Sequence, residues 1–197
     1  RSSAITLAIP EDSIAAGIFA AVLPTQHPTG LPFHINADFF PSNDRKRVVL
    51  SAEQHKEYQS EWNRTAIEAA AKTLADNLIR LRDHVGHKQL WAIVAAAEKV
   101  AQQAKRGATE KTLAAFWNAI RTSLSSLPII LTTRSEWNKP SEVLLLEKAE
   151  EAEAIPVLEA LNLPIVHDDL REHFTLMRYS EVGVKYLDMN HIAESLV

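Results

Sequence analysis

Three consecutive cations, Arg45-Lys46-Arg47, lie between the polar stretch Ser42-Asn43-Asp44 and the apolar run Val48-Val49-Leu50. Such a cluster is either a basic loop kept in water or the carrier of a phosphate-sensing arginine. A guanidinium keeps its charge at physiological pH, and its planar fork grips two phosphate oxygens, so it suits phosphoryl transfer better than a lysine ammonium. Histidines offer a second chemistry. His84 and His87 are three apart across Gly86, and His167, Asp168, Asp169 and His173 fall within seven residues. A catalytic zinc or non-haem iron needs a third ligand and an ordered outer shell, and neither group shows a third ligand in sequence, so no metal is expected. These histidines read as solvated or helix-capping. Asp168 or Asp169, followed by Leu170-Arg171-Glu172, reads as an N-cap at a helix start.

Other catalytic signatures are missing. The chain has no Gly-x-Gly-x-x-Gly, Gly-x-x-x-x-Gly-Lys-Ser/Thr, Gly-x-Ser-x-Gly or His-Glu-x-x-His, and only five glycines, so no glycine-rich phosphate cradle is available. Unplaced Ser, His and Asp residues do not establish a triad. Trp62, Trp91 and Trp117 fall in helical pattern, where core packing is expected, whereas Trp137 falls in a loop between strands and is expected to pin it.

The elements that position these residues follow from periodicity. Ile5, Leu7 and Ile9, then the apolar residues at 18–23, read as two strands joined by a polar turn at 10–13. A loop with Pro24, Pro28, Gly30 and Pro32 follows. Phe33, Ile35, Ala37 and Phe39 alternate with polar residues, as in a half-buried strand. Ser51 with Gln54 has the form of a capping box opening a helix that runs to Val85 and ends at Gly86, its stripe being Ile67, Ala71, Leu74, Leu78, Leu81 and Val85. Leu90, Val94, Ala97, Ala101 and Ala104 form a second stripe, and Leu113, Phe116, Ile120 and Leu124 a third. Beyond residue 125, short apolar runs at 129–131, 143–146 and 163–166 alternate with helical pattern near 150–161 and 170–177, and residues 179–196 read as a last helix. The fold class expected is α+β: an N-terminal strand-and-helix unit, a helical middle and a small C-terminal α/β unit.

The composition excludes several classes. The chain has 197 residues, 46% hydrophobic, with 21 Lys+Arg against 25 Asp+Glu and a formal charge of −4. That gives no basic excess for nucleic acid or an anionic membrane. The absence of cysteine removes disulfides, thiolate metal sites and cysteine nucleophiles. No apolar run approaches the roughly 18 residues of a membrane span. A soluble, cytoplasmic protein is expected, and because residue 1 is Arg rather than Met, a piece of a longer one.

Residues 19–40, Phe-Ala-Ala-Val-Leu-Pro-Thr-Gln-His-Pro-Thr-Gly-Leu-Pro-Phe-His-Ile-Asn-Ala-Asp-Phe-Phe, resemble the block that follows the nucleotide-binding domain in sacsin-like proteins. These belong to the GHKL ATPase group, with the ninety-kilodalton heat-shock chaperone. In that family the block ends in a Ser/Thr-rich turn with an arginine, commonly followed by glutamate, and then a Trp-Asn pair. Here the turn is Ser42-Asn43-Asp44-Arg45-Lys46-Arg47, so Arg45 matches the arginine, Lys46 stands at the acidic position, and the pair is Trp62-Asn63. Residues 135–143 and 158–166 are similar to the distal part of the same region.

The resemblance implies a chaperone-like middle region in which residues 1–108 form a strand-and-long-helix unit and residues 109–197 a helix plus small α/β unit. It implies that Arg45 contacts the γ-phosphate of ATP held with Mg²⁺ by an upstream domain. No cofactor is then expected in this chain, which lacks the family's metal-binding asparagine helix and adenine-site glycine motif. Protein clients or partners are implied. The alternative is a non-catalytic protein-interaction module.

Overall fold

The computed structural model describes residues 4–11, 14–52, 56–146, 153–176 and 182–187. The fold is α+β. Two compact units emerge, Arg1–Leu78 with Ala92–Ile120, and Ile79–Trp91 with Arg121–Val197.

In the first unit, strands β1 (Thr6–Ala8), β2 (Ile18–Ala21), β3 (Leu23–Pro28) and β4 (His34–Asn36) form one sheet in the order β1-β4-β2-β3. The alternation from Phe33 puts Phe33, Ile35, Ala37 and Phe39 in the core although β4 itself is short. Two expectations fail here. Strand β1 pairs with β4, not with the run that follows it. That run turns back on itself at Val22 (φ 66), and the proline-bearing stretch after it is β3, an edge strand, where a missing N–H costs no ladder bond. Gly17 lets the chain pass close to β4: a Cβ there would stand 1.8 Å from the Phe33 carbonyl oxygen.

Helix α1 (Glu57–Asp76) starts five residues later than the capping-box reading, with Lys56 and not Ser51 at its N-cap, and Ser51 lies in the preceding loop. Gln54 falls outside the described residues. The helix also stops short of Val85. The Asn77 side chain donates to the Thr73 carbonyl (2.8 Å), competing for the backbone as asparagine does, and α2 (Leu78–Gln102) begins beyond it. Gly86 interrupts α2 rather than ending it, with φ 78 and ψ 174, a conformation open essentially to glycine. Helix α3 (Ala108–Leu124) buries all four residues of its predicted stripe.

In the second unit, β5 (Ile130–Leu131) pairs antiparallel with β6 (Trp137–Asn138), and β7 (Leu144–Leu146) pairs parallel with β8 (Lys185–Leu187). Residues 165 and 166 join both, through single bridges Leu144↔Ile165 and Thr132↔Val166. Helices α4 (Ile155–Ala160), with Pro156 in its first turn, and α5 (Asp168–Leu176) cover this small α/β unit. Leu146, Leu158 and Ile165 form one core cluster, and Trp91 lies against Phe174 with ring centroids 4.7 Å apart. Where a last helix was expected, residues 185–187 are strand β8; residues 177–181 and 188–197 lie outside the described residues. Among the described residues no helix is long and apolar enough to cross a membrane.

Candidate functional site

Arg45 lies on a loop that its own sequence ties shut. Asp44 Oδ1 accepts from Ser42 Oγ (2.6 Å) and from the Lys46 N–H (3.1 Å), and Ser42 Oγ accepts from the Arg47 N–H (3.1 Å). These bonds, led by the Ser42 hydroxyl, hold the Asp44 carboxyl below its usual range. The Ser42 N–H reaches the Arg47 carbonyl, Pro41 bridges Val48, and the Gln26 N–H of β3 holds the Lys46 carbonyl at 3.0 Å. Arg45 itself takes φ 55, which is rare for a side chain with a Cβ, and its side chain is exposed. Among the described residues nothing pairs with its guanidinium.

The base of the loop is fixed by Asn63, fully buried on α1. Its Oδ1 accepts from the Phe40 N–H, and its Nδ2 donates to the carbonyls of Phe40 and Val49, each at 2.8 Å. The Trp-Asn pair thus clamps the two ends of the arginine loop onto α1. Trp62 does not enter the core as expected: it is 45% exposed, with Nε1 donating to the Asp38 carbonyl. Trp91 and Trp117 are buried, and Trp137 is half-buried in β6 rather than in a loop.

Behind the loop is a polar hollow of about 550 Å³ lined by His27, Thr29, Arg47, Gln103, Thr109 and Glu110, among others. His27 Nδ1 accepts from the Val48 N–H (3.1 Å) and Nε2 is 3.0 Å from Thr109 Oγ1. A backbone N–H can only donate, so Nδ1 is unprotonated and the proton of the neutral ring is on Nε2. Burial, and then the charge of Arg47, push the His27 pKa down, against a smaller upward pull from Glu110.

The histidine groups meet in a way their spacing does not reveal. His87, directly after the Gly86 interruption, places Nε2 3.2 Å from Asp169 Oδ2, and His167 Nδ1 is 3.7 Å from the same oxygen. Lys88 Nζ stands 3.0 Å from it. Bonds from Lys88 first and His87 second keep the Asp169 carboxyl below its usual range. The His87 and His167 ring centroids are 5.5 Å apart, and His87 meets the edge of Trp137, over which Arg82 lies at 4.5 Å. His84 is exposed and outside this group, Asp168 pairs with Arg171, and His173 lies a turn further along α5.

The cap of α5 is also not an aspartate. His167 occupies that position, its Nδ1 accepting the Asp169 N–H at 3.2 Å, while Asp168 and Asp169 lie in the first turn. Of the residues whose role sequence reasoning missed, Asn63, named there only as half of the Trp-Asn pair, had a visible signal, since it stands four before Ile67 at the head of the buried stripe. His27 had none, its partner Thr109 being 82 residues away. A scan against protein-family models, a search of curated proteins and a search of solved structures each found no match to this chain.

Proposed function

We propose that this chain is the region following the ATP-binding domain of a GHKL-type, sacsin-like ATPase with a chaperone-like role, and that it supplies Arg45 to the γ-phosphate held by that upstream domain. The observation that carries the reading is the state of Arg45: an exposed, unpaired guanidinium on a loop locked by its own hydrogen bonds. Left-handed backbone at a residue other than glycine costs of order 1–3 kcal/mol and is concentrated at functional sites, where the surroundings over-determine it. The clamp by Asn63 gives the Trp-Asn pair of the resemblance a physical reason, since it fixes both ends of the loop. The locked loop fixes where the Arg45 side chain starts, so that only its side-chain torsions are left to order on meeting a phosphate.

The reading is tested in a protein that carries the ATP-binding domain ahead of residue 1. Arg45→Ala lowers ATP turnover by roughly 10² or more, within the range for lost arginine contacts in phosphoryl transfer. Nucleotide affinity changes less, and Arg45→Lys recovers little because a point charge does not reproduce the bidentate fork. Arg47→Ala, with the same charge two residues away, separates a specific contact from a general field. A second reading, a non-catalytic protein-interaction module, draws on Tyr58 and Trp62, 53% and 45% exposed on α1. Equal, mild losses at Arg45 and Arg47 favour that module and overturn the phosphate contact.

A further inference from the structure

We propose that His87, His167 and Asp169 form a binding site for one divalent transition-metal ion of the zinc class. The sequence argues against a metal because neither histidine group holds a third ligand; the fold removes that objection by joining His87 of one group to His167 and Asp169 of the other. Their ligand atoms all lie within 4.8 Å of one another. Neighbouring ligands in a tetrahedron with bonds of about 2.0–2.2 Å stand about 3.3–3.6 Å apart. The two separations from Asp169 Oδ2, 3.2 and 3.7 Å, come within about 0.1 Å of that range. From the 4.8 Å limit, the His87–His167 pair needs to close by about 1.5 Å at most to reach that range, a matter of side-chain torsions.

Two imidazoles and one carboxylate are a donor set suited to zinc and its neighbours, and three protein ligands leave a fourth position for water. The ligands are held from behind. The His167 N–H donates to the Leu131 carbonyl (2.9 Å), Asp169 sits in the first turn of α5, and the His87 ring rests between His167 and Trp137.

Two groups compete with the ion, and they make the proposal testable. Lys88 Nζ lies on Asp169 Oδ2, where it supplies the positive charge a metal would bring; its side chain is 66% exposed and swings into water at small cost. The Asp169 N–H uses His167 Nδ1 at 3.2 Å, a long bond that a metal on that nitrogen displaces.

The experiment uses the full 197-residue chain, free of an affinity tag and stripped with chelator, titrated calorimetrically with Zn²⁺ and optically with Co²⁺. One equivalent of Zn²⁺ is expected, with a rise in melting temperature, because a ligand that binds only the folded state stabilises it. Co²⁺ should give the visible absorption of a four-coordinate site. Loss of an outer-shell partner already costs about 10–100-fold in affinity, so loss of a direct ligand in His87→Ala or Asp169→Ala should cost about 100-fold or more. Lys88→Ala should tighten binding, whereas His84→Ala and His173→Ala should leave it unchanged. Should His87→Ala fail to fold, His87→Gln, closer in volume, carries the same comparison. No stoichiometric binding, or equal weakening by His84→Ala and His87→Ala, overturns the proposal.

Discussion

His27 shows what a single buried ring contributes and when it stops contributing. As a neutral imidazole it accepts from the Val48 N–H and meets Thr109 Oγ1, so β3, the end of the arginine loop and the start of α3 share one side chain. Its pKa in the fold is pushed below the ordinary 6.5 by burial and by Arg47. A histidine depressed in this way favours folding fully above its unfolded pKa. The benefit declines as pH drops below about 6.5 and is gone once pH passes below the folded value. Protonation would put a proton on Nδ1, remove the acceptor for Val48 and add a charge facing Arg47. The urea midpoint of the wild-type chain should therefore fall between pH 7.5 and pH 5 more steeply than that of His27→Asn, which offers an uncharged acceptor. Glu110 facing the ring softens the slope without reversing it. Identical slopes in the two proteins would remove His27 from the account.

At the scale of elements, α1 carries the arginine loop through Asn63. Asn63→Ala leaves the Phe40 N–H and the Val49 carbonyl without their side-chain partner, while the Phe40 carbonyl keeps the Val49 N–H at 3.1 Å. Orphaned buried polar groups cost about 1–3 kcal/mol each, partly recovered when water enters, so a loss of roughly 2–4 kcal/mol in unfolding free energy is expected, with helix content in native buffer unchanged. A loss below about 0.5 kcal/mol would mean that the clamp is idle. The same helix shows what periodicity conveys. The stripe at Ile67, Ala71, Leu74, Leu78 and Leu81 is buried as its spacing requires, and so is the α3 stripe at Leu113, Phe116, Ile120 and Leu124. Hydrophobic period reports which face is covered but not where hydrogen bonding lapses, so the break at Asn77, without proline or glycine, was hidden by an unbroken stripe. Ser51 misled for the related reason that a cap motif needs a helix to begin behind it, and here the chain first delivers Val48, Val49 and Leu50 to the core. Short strands were legible by alternation, as at Phe33 to Phe39, but their partners were not, since β4 enters between β1 and β2, with Gly17 allowing its close approach to the β2 side, and no local spacing carries that order.

At the scale of the whole molecule, long-range convergence is what the sequence hides: His87 and Asp169 meet across 82 positions, and no local spacing announces it. The absence of a phosphate cradle, by contrast, is plain from the sequence. The five glycines stand at 17, 30, 86, 107 and 183, too scattered for a run of backbone N–H groups to wrap a triphosphate. On the proposed reading, what the chain offers a nucleotide is the side chain of Arg45. A hydrogen bond to a charged group is worth about 1.5–3 kcal/mol, so even a bidentate arginine contact supplies about 3–6 kcal/mol. Micromolar affinity requires about 8 kcal/mol, before the cost of immobilising the ligand is met. The 197-residue chain alone should therefore give no stoichiometric heat with Mg·ATP up to tens of micromolar, and Arg45→Ala should leave that baseline unchanged. A saturable one-to-one signal in that range would place the nucleotide site within this chain, and Arg45 would then belong to a complete binding site and not to a contact delivered to another domain.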